Sequence, residues 1–147
     1  MDPANIDEMK VDVGDYALLK RSFTAHDLQM FSEAIGDKYA SHKQPQGQES
    51  TFYRSDIVYG IFSSASFTAL FRLYFPKAIY VSQELKFRKP ILRDETVEVR
   101  VEVVGWDPVK KNVQFKTVIV KQDHGKEVVA VEGKATLKIP YIIVNDQ

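Results

Sequence analysis

"IVYGIFSSASFTALFRLYFP", residues 57–76, is the long apolar segment of the chain, and its reading decides the fold. Between Asp56 and Arg72 lie 15 residues without a charge, three Ser and one Thr among them. A helix needs about 18 to 20 largely apolar residues to cross a bilayer, so this segment reads as a buried helix of a globular protein. Pro76 ends it, because proline has no N–H to give a helix interior. Apolar residues fall on nearly every face of 57–75, which predicts a helix at the centre of the protein and not on its surface.

The period of the sequence changes after Pro76. Strands are expected at 78–87, 96–104, 112–121 and 128–139, with VEVRVEVV and VQFKTVIVK as the clearest alternating runs. Turns at 93–95, 105–111 and 122–127 separate them, and Gly125 in QDHGKE suits a hairpin. Upstream, YALLKRSF (16–23) reads as a first strand. Thr24 follows as a helix N-cap, with Asp27 at the position where a capping box has Glu or Gln. Leu28, Phe31, Ala34 and Ile35 continue at helical spacing, and Gly36 is a C-terminal stop. Residues 37–50 are polar, contain Pro45 and Gly47, and read as loop. The order predicts an α+β protein: an antiparallel sheet with a long apolar helix packed against it. A sheet curled around one central helix is the hot-dog arrangement.

A chain of 147 residues supports a single domain over 1–147 with a real core. Lys+Arg and Asp+Glu both number 20, so the net charge of zero predicts no global attraction to nucleic acid or an anionic membrane. Cysteine is absent, which excludes disulfides, thiolate metal sites and a cysteine nucleophile. The three histidines, His26, His42 and His124, are scattered and argue against a histidine-rich zinc site. MDPANIDEMK is acidic and lacks an apolar run, so it reads as neither a signal nor a transit peptide. The expectation is a cytoplasmic protein.

Between the two helices stands GDKYASH, residues 36–42. Read alone it is a helix stop and a solvated turn. Its surroundings change that. "VGDYALLKRSFTAHDLQMFSEAIGD" (13–37), "DIVYGIFSSASFTALF" (56–71) and "QELKFRKPILRDETVEVRVEV" (83–103) occur in the order and spacing of a known family. Over about residues 13–140 the chain resembles the MaoC-like hydratases, the (R)-specific enoyl-CoA hydratases and 3-hydroxyacyl-thioester dehydratases.

The resemblance implies a catalytic pair and an oxyanion donor. The family motif is Asp, any residue, Asn, Pro, any residue, His; its Asp falls on Asp37 and its His on His42. Tyr39-Ala40 stands where the family has Asn-Pro, and Tyr59 stands where it often has His or Pro. The backbone amide that the family uses at the start of its central helix falls on Gly60. Tyr39, Tyr59 and Thr68 are the implied substrate-contacting residues. The implied substrates are acyl thioesters of CoA or acyl carrier protein, the implied assembly is a homodimer, and no cofactor is called for.

The chemistry fits these residue types. Hydrating an α,β-unsaturated thioester needs a base for water and an acid for Cα, roles that a carboxylate and an imidazole divide between them. A helix N-terminal N–H stabilises the charge that grows on the thioester oxygen. Which of Asp37 and His42 takes the first proton stays open. Two rival functions stay open with it: a hot-dog thioesterase, whose water attacks the carbonyl carbon, and a non-catalytic acyl-thioester-binding or assembly protein. Phe62, Phe67, Leu70, Phe71, Leu73 and Phe75 suit a core helix as well as an acyl tunnel. Lys86, Arg88 and Lys89 read as a solvated basic face or as a partner for phosphates. His26 and His124 are expected at the surface, and Ser63, Ser64 and Ser66 as small packing residues.

Overall fold

The computed structural model describes residues 8–37 and 57–146. Its elements are β1 (Met9–Asp12), β2 (Tyr16–Arg21), α1 (Ala25–Ile35), α2 (Gly60–Tyr74), β3 (Ile79–Phe87), β4 (Val97–Asp107), β5 (Asn112–Asp123), β6 (Lys126–Lys138) and β7 (Ile142–Asn145). Strict alternation builds the sheet. Val97, Val99, Val101 and Val103 of β4 and Val113, Phe115, Thr117 and Ile119 of β5 are buried on one face. Glu98, Arg100 and Glu102 take the other face, where Arg100 pairs with Glu98 and with Glu127, each at 2.7 Å. Five antiparallel strands run in the order β2–β4–β5–β6–β3. Register shifts between Tyr80 and Ser82, Val103 and Gly105, and Ile119 and Val120 add local twist.

The apolar face of this sheet receives α2. Phe67, Leu70 and Phe71 are buried between them, each contributing about 1.5–3 kcal/mol by leaving water. The Phe71 and Phe75 rings lie 4.7 and 5.6 Å from Phe115 of β5. A curled antiparallel sheet on one helix is the hot-dog arrangement that the pattern predicts.

Three expectations are revised. First, the helix does not take in the whole apolar segment from 57: α2 begins at Gly60, where the resemblance puts the start of the central helix. Ile57 forms a bridge with Leu92, and Val58 N–H donates to the Ile91 carbonyl at 2.8 Å, so these residues are extended. Second, α2 is not covered all round. Ile61 and Leu73 are 60% and 69% exposed, because a single sheet shields only one side of a helix. Leu73 is therefore no part of the core. Third, β4 runs through the expected turn at 105–107, with Trp106 paired to Val113 and the Lys111 ammonium 5.1 Å from its ring.

The chain ends add β1 and β7, a parallel pair that aligns Met9 with Ile142, with Ile142 and Val144 buried. His26 and His124 are exposed, as expected. Among the described residues no helix is long and apolar enough to cross a membrane.

Gly133 of β6 stands against the backbone of β3. A Cβ there would lie 1.7 Å from the backbone carbonyl oxygen of Glu84, which sits in the ladder and cannot yield. Gly133→Ala should therefore lower the unfolding free energy by about 3 kcal/mol, read from a urea titration.

Candidate active site

The site begins with the two ends of α1. Thr24 Oγ1 accepts from Asp27 N–H at 3.1 Å, and Asp27 Oδ2 accepts from Thr24 N–H at 2.9 Å. This reciprocal capping box holds the Asp27 carboxyl below its usual range, chiefly through the Thr24 backbone bond. At the other end Gly36 takes φ 76°, a left-handed conformation that glycine adopts without a Cβ penalty. Gly36 N–H then donates to Glu33 at 3.1 Å and Asp37 N–H to Ser32 at 2.8 Å. This double closure fixes the Asp37 backbone one residue after the turn.

The Asp37 side chain is met from across the molecule. Tyr59 Oη donates to Asp37 Oδ2 at 2.6 Å, linking residues 22 apart. Tyr59 is also the residue that opens α2. Its carbonyl accepts from Ser63 N–H at 3.0 Å, while its side chain makes no capping bond to the helix. Gly60 N–H therefore stands at the positive end of α2, among the N–H groups that a helix leaves without intrahelical partners. The Gly60 carbonyl accepts from Ser63 Oγ at 2.9 Å and Ser64 Oγ at 2.7 Å, so these buried serines brace the first turn.

A cavity of about 510 Å³ adjoins this helix end, walled by Phe31, Ile57, Tyr59, Gly60, Phe87 and Ile91. The size and apolar lining suit a small organic group. Phe87 packs against Gly60: a Cβ on Gly60 would come within 2.5 Å of Phe87 Cε1. Arg88 and Lys89 also border the cavity, and Arg88 pairs with Glu132 at 2.8 Å, holding that carboxyl below its usual range.

Of the residues singled out in the sequence, Asp37, Tyr59 and Gly60 come together in this region. Tyr39 and His42 lie outside the described residues. Thr68 is exposed and lines a separate cavity of about 540 Å³ with Phe71, Arg72, Tyr80 and Leu137. It takes no part in the Gly60 cavity of the single chain. Burial raises the Tyr80 phenol in that second cavity to about 12.

Sequence reasoning missed the far wall. Lys121 Nζ, on β5, donates to the Pro90 carbonyl at 2.7 Å and to Glu95 Oε1 at 3.1 Å, pinning the segment that carries Ile91.

No family model matches the chain. It is, however, 33% identical over 129 residues to the (R)-specific enoyl-CoA hydratase of Rhodospirillum rubrum, covering 86% of this chain and 87% of that protein. The chain belongs to the MaoC-like hydratase family. It is also 28% identical to the mitochondrial 3-hydroxyacyl-[acyl-carrier-protein] dehydratase of Arabidopsis thaliana, covering 87% of this chain and 77% of that one. The solved (R)-hydratase of Aeromonas caviae superposes with a TM-score of 0.75 at 28% identity, covering 87% and 96% of the two chains. The hot-dog fold read from the element order is the fold of the MaoC-like hydratases.

Within this MaoC-like chain the wall held by Lys121 is open to a direct check. Lys121→Met should cost about 2 kcal/mol of stability, since it strands Glu95 and frees the Pro90 carbonyl. Hydrogen exchange should show the same loosening as faster exchange at Leu92, whose N–H donates to Glu95 Oε1 at 3.2 Å.

Proposed function

We propose that the chain adds water to trans-2-enoyl thioesters and removes it from (R)-3-hydroxyacyl thioesters, carried on CoA or acyl carrier protein. What supports the reading is a half-buried carboxylate, Asp37, tied at 2.6 Å to the residue that opens α2, in a family whose named members are hydratases and dehydratases. In this reading Asp37 and His42 hold one water between them. One takes a proton as the water oxygen attacks Cβ, and the other delivers a proton to Cα. The water is thus divided into OH on Cβ and H on Cα. Gly60 N–H receives the thioester oxygen, and the α2 dipole stabilises the negative charge that develops there. The apolar cavity takes the acyl chain, with Arg88 and Lys89 on the side of the phosphates.

Hydration of crotonyl-CoA, followed by the loss of enoyl-thioester absorbance, tests this. Wild type should turn over, and Asp37→Ala and His42→Ala should each lower kcat by about 10³-fold. A wild-type protein silent under saturating substrate would refute the reading, and turnover surviving both changes would move the site elsewhere. Release of free thiol, read with a thiol reagent, would mark a thioesterase instead.

The functional unit in this reading is a homodimer. β3 lies at the edge of the sheet, with Ile79, Val81 and Phe87 exposed on it by 58%, 53% and 54%. An unpaired apolar edge strand is a template for a second copy, and a two-fold axis lets the same edge serve both. Phe87 belongs to this edge and to the cavity wall, so pairing would shelter the cavity. Sedimentation velocity should find a dimer of wild type and a monomer of Val81→Lys.

A further inference from the structure

We propose that Tyr59 is a positioning residue, whose phenol O–H fixes the rotation of the Asp37 carboxylate. The inference rests on the reading of Asp37 as one of the water-activating groups. At 2.6 Å the contact has the length of a charge-assisted O–H···O⁻ bond, the stronger class of hydrogen bond.

The phenol is the rigid partner. The Tyr59 ring lies 5.3 Å from Phe31, which stacks on Phe62 at 4.5 Å with planes 11° apart. Phe62 meets the edge of Phe23 at 5.1 Å, and Phe23 is completely buried. Four rings thus run from the core to the hydroxyl. The backbone on either side of Tyr59 is tied as well, through Val58 N–H to the Ile91 carbonyl and Ser63 N–H to the Tyr59 carbonyl. A carboxylate bonded to this phenol takes its orientation from the core.

Asp37 needs such a hold. Its backbone is set by the Gly36 turn, but its side chain stands just past the C-terminal end of α1. That end carries the negative pole of the helix, which disfavours a carboxylate. A fixed donor opposes the drift into solvent. Tyr59 also walls the cavity, but the effect of its hydroxyl reaches the reaction through Asp37.

Tyr59→Phe keeps the ring and removes only the hydroxyl. Its kcat for crotonyl-CoA should fall about 10- to 100-fold with KM within about twofold, the signature of a misoriented catalytic group. An unchanged kcat, or a rise in KM that accounts for the loss, would overturn the proposal. The contact is also visible without turnover. Wild type should show a downfield phenolic hydroxyl proton by NMR that is missing from both Tyr59→Phe and Asp37→Asn. Its absence from wild type, or its survival in Asp37→Asn, would overturn the proposal even if Tyr59→Phe failed to fold. An inactive wild type that still shows this proton would refute the function and leave the contact standing.

Discussion

The seating of α2 on the apolar face of the sheet fixes where everything else can be. Phe67, Leu70 and Phe71 enter that face, and Phe115 receives the C-terminal half of the helix between the rings of Phe71 and Phe75. A helix of 15 residues is about 22 Å long, so burying its middle leaves both ends near the rim of the sheet. One end reaches Pro76. The other, Gly60, arrives between α1 and the 88–92 segment, where its positive pole borders the cavity. The candidate site thus follows from the packing of the core.

The sheet and helices were legible because their residues repeat. Alternation in β4 and β5, the Thr24–Asp27 cap and the Gly36 stop each carry a local signal with a local cause, and the structure keeps all of them. What failed did so where the cause is not local. Ile57 and Val58 carry the same apolar character as the helix behind them, yet they pair with Leu92 and Ile91, more than 30 residues away. Apolarity on every face of α2 suggested full burial, but one sheet can cover only one side. β1 and β7 escaped notice because four residues are too few to show a period, and parallel pairing of two distant segments has no turn to announce it.

The site was legible to a different degree. Asp37 and Gly60 were placed by resemblance and not by periodicity, and the structure adds the residue that joins their two helices. Nothing in the sequence links Tyr59 to Asp37, since a tyrosine ahead of an apolar helix is most simply a packing residue. The Lys121 clamp is silent for the same reason: a lysine in an alternating strand reads as solvent-facing, but only a tenth of its side chain is exposed. Hydrogen bonds between side chains from separate elements leave no pattern along the chain. They follow only from the fold.

The choice of a tyrosine at 59 has a consequence for the chemistry. A carboxylate at the negative end of a helix is poorly placed, and a nearby Lys or Arg would hold it in position easily. The phenol orients Asp37 without adding a charge. The position of the Asp37 carboxylate thus follows from the aromatic ladder that starts at Phe23 and ends at the Tyr59 hydroxyl.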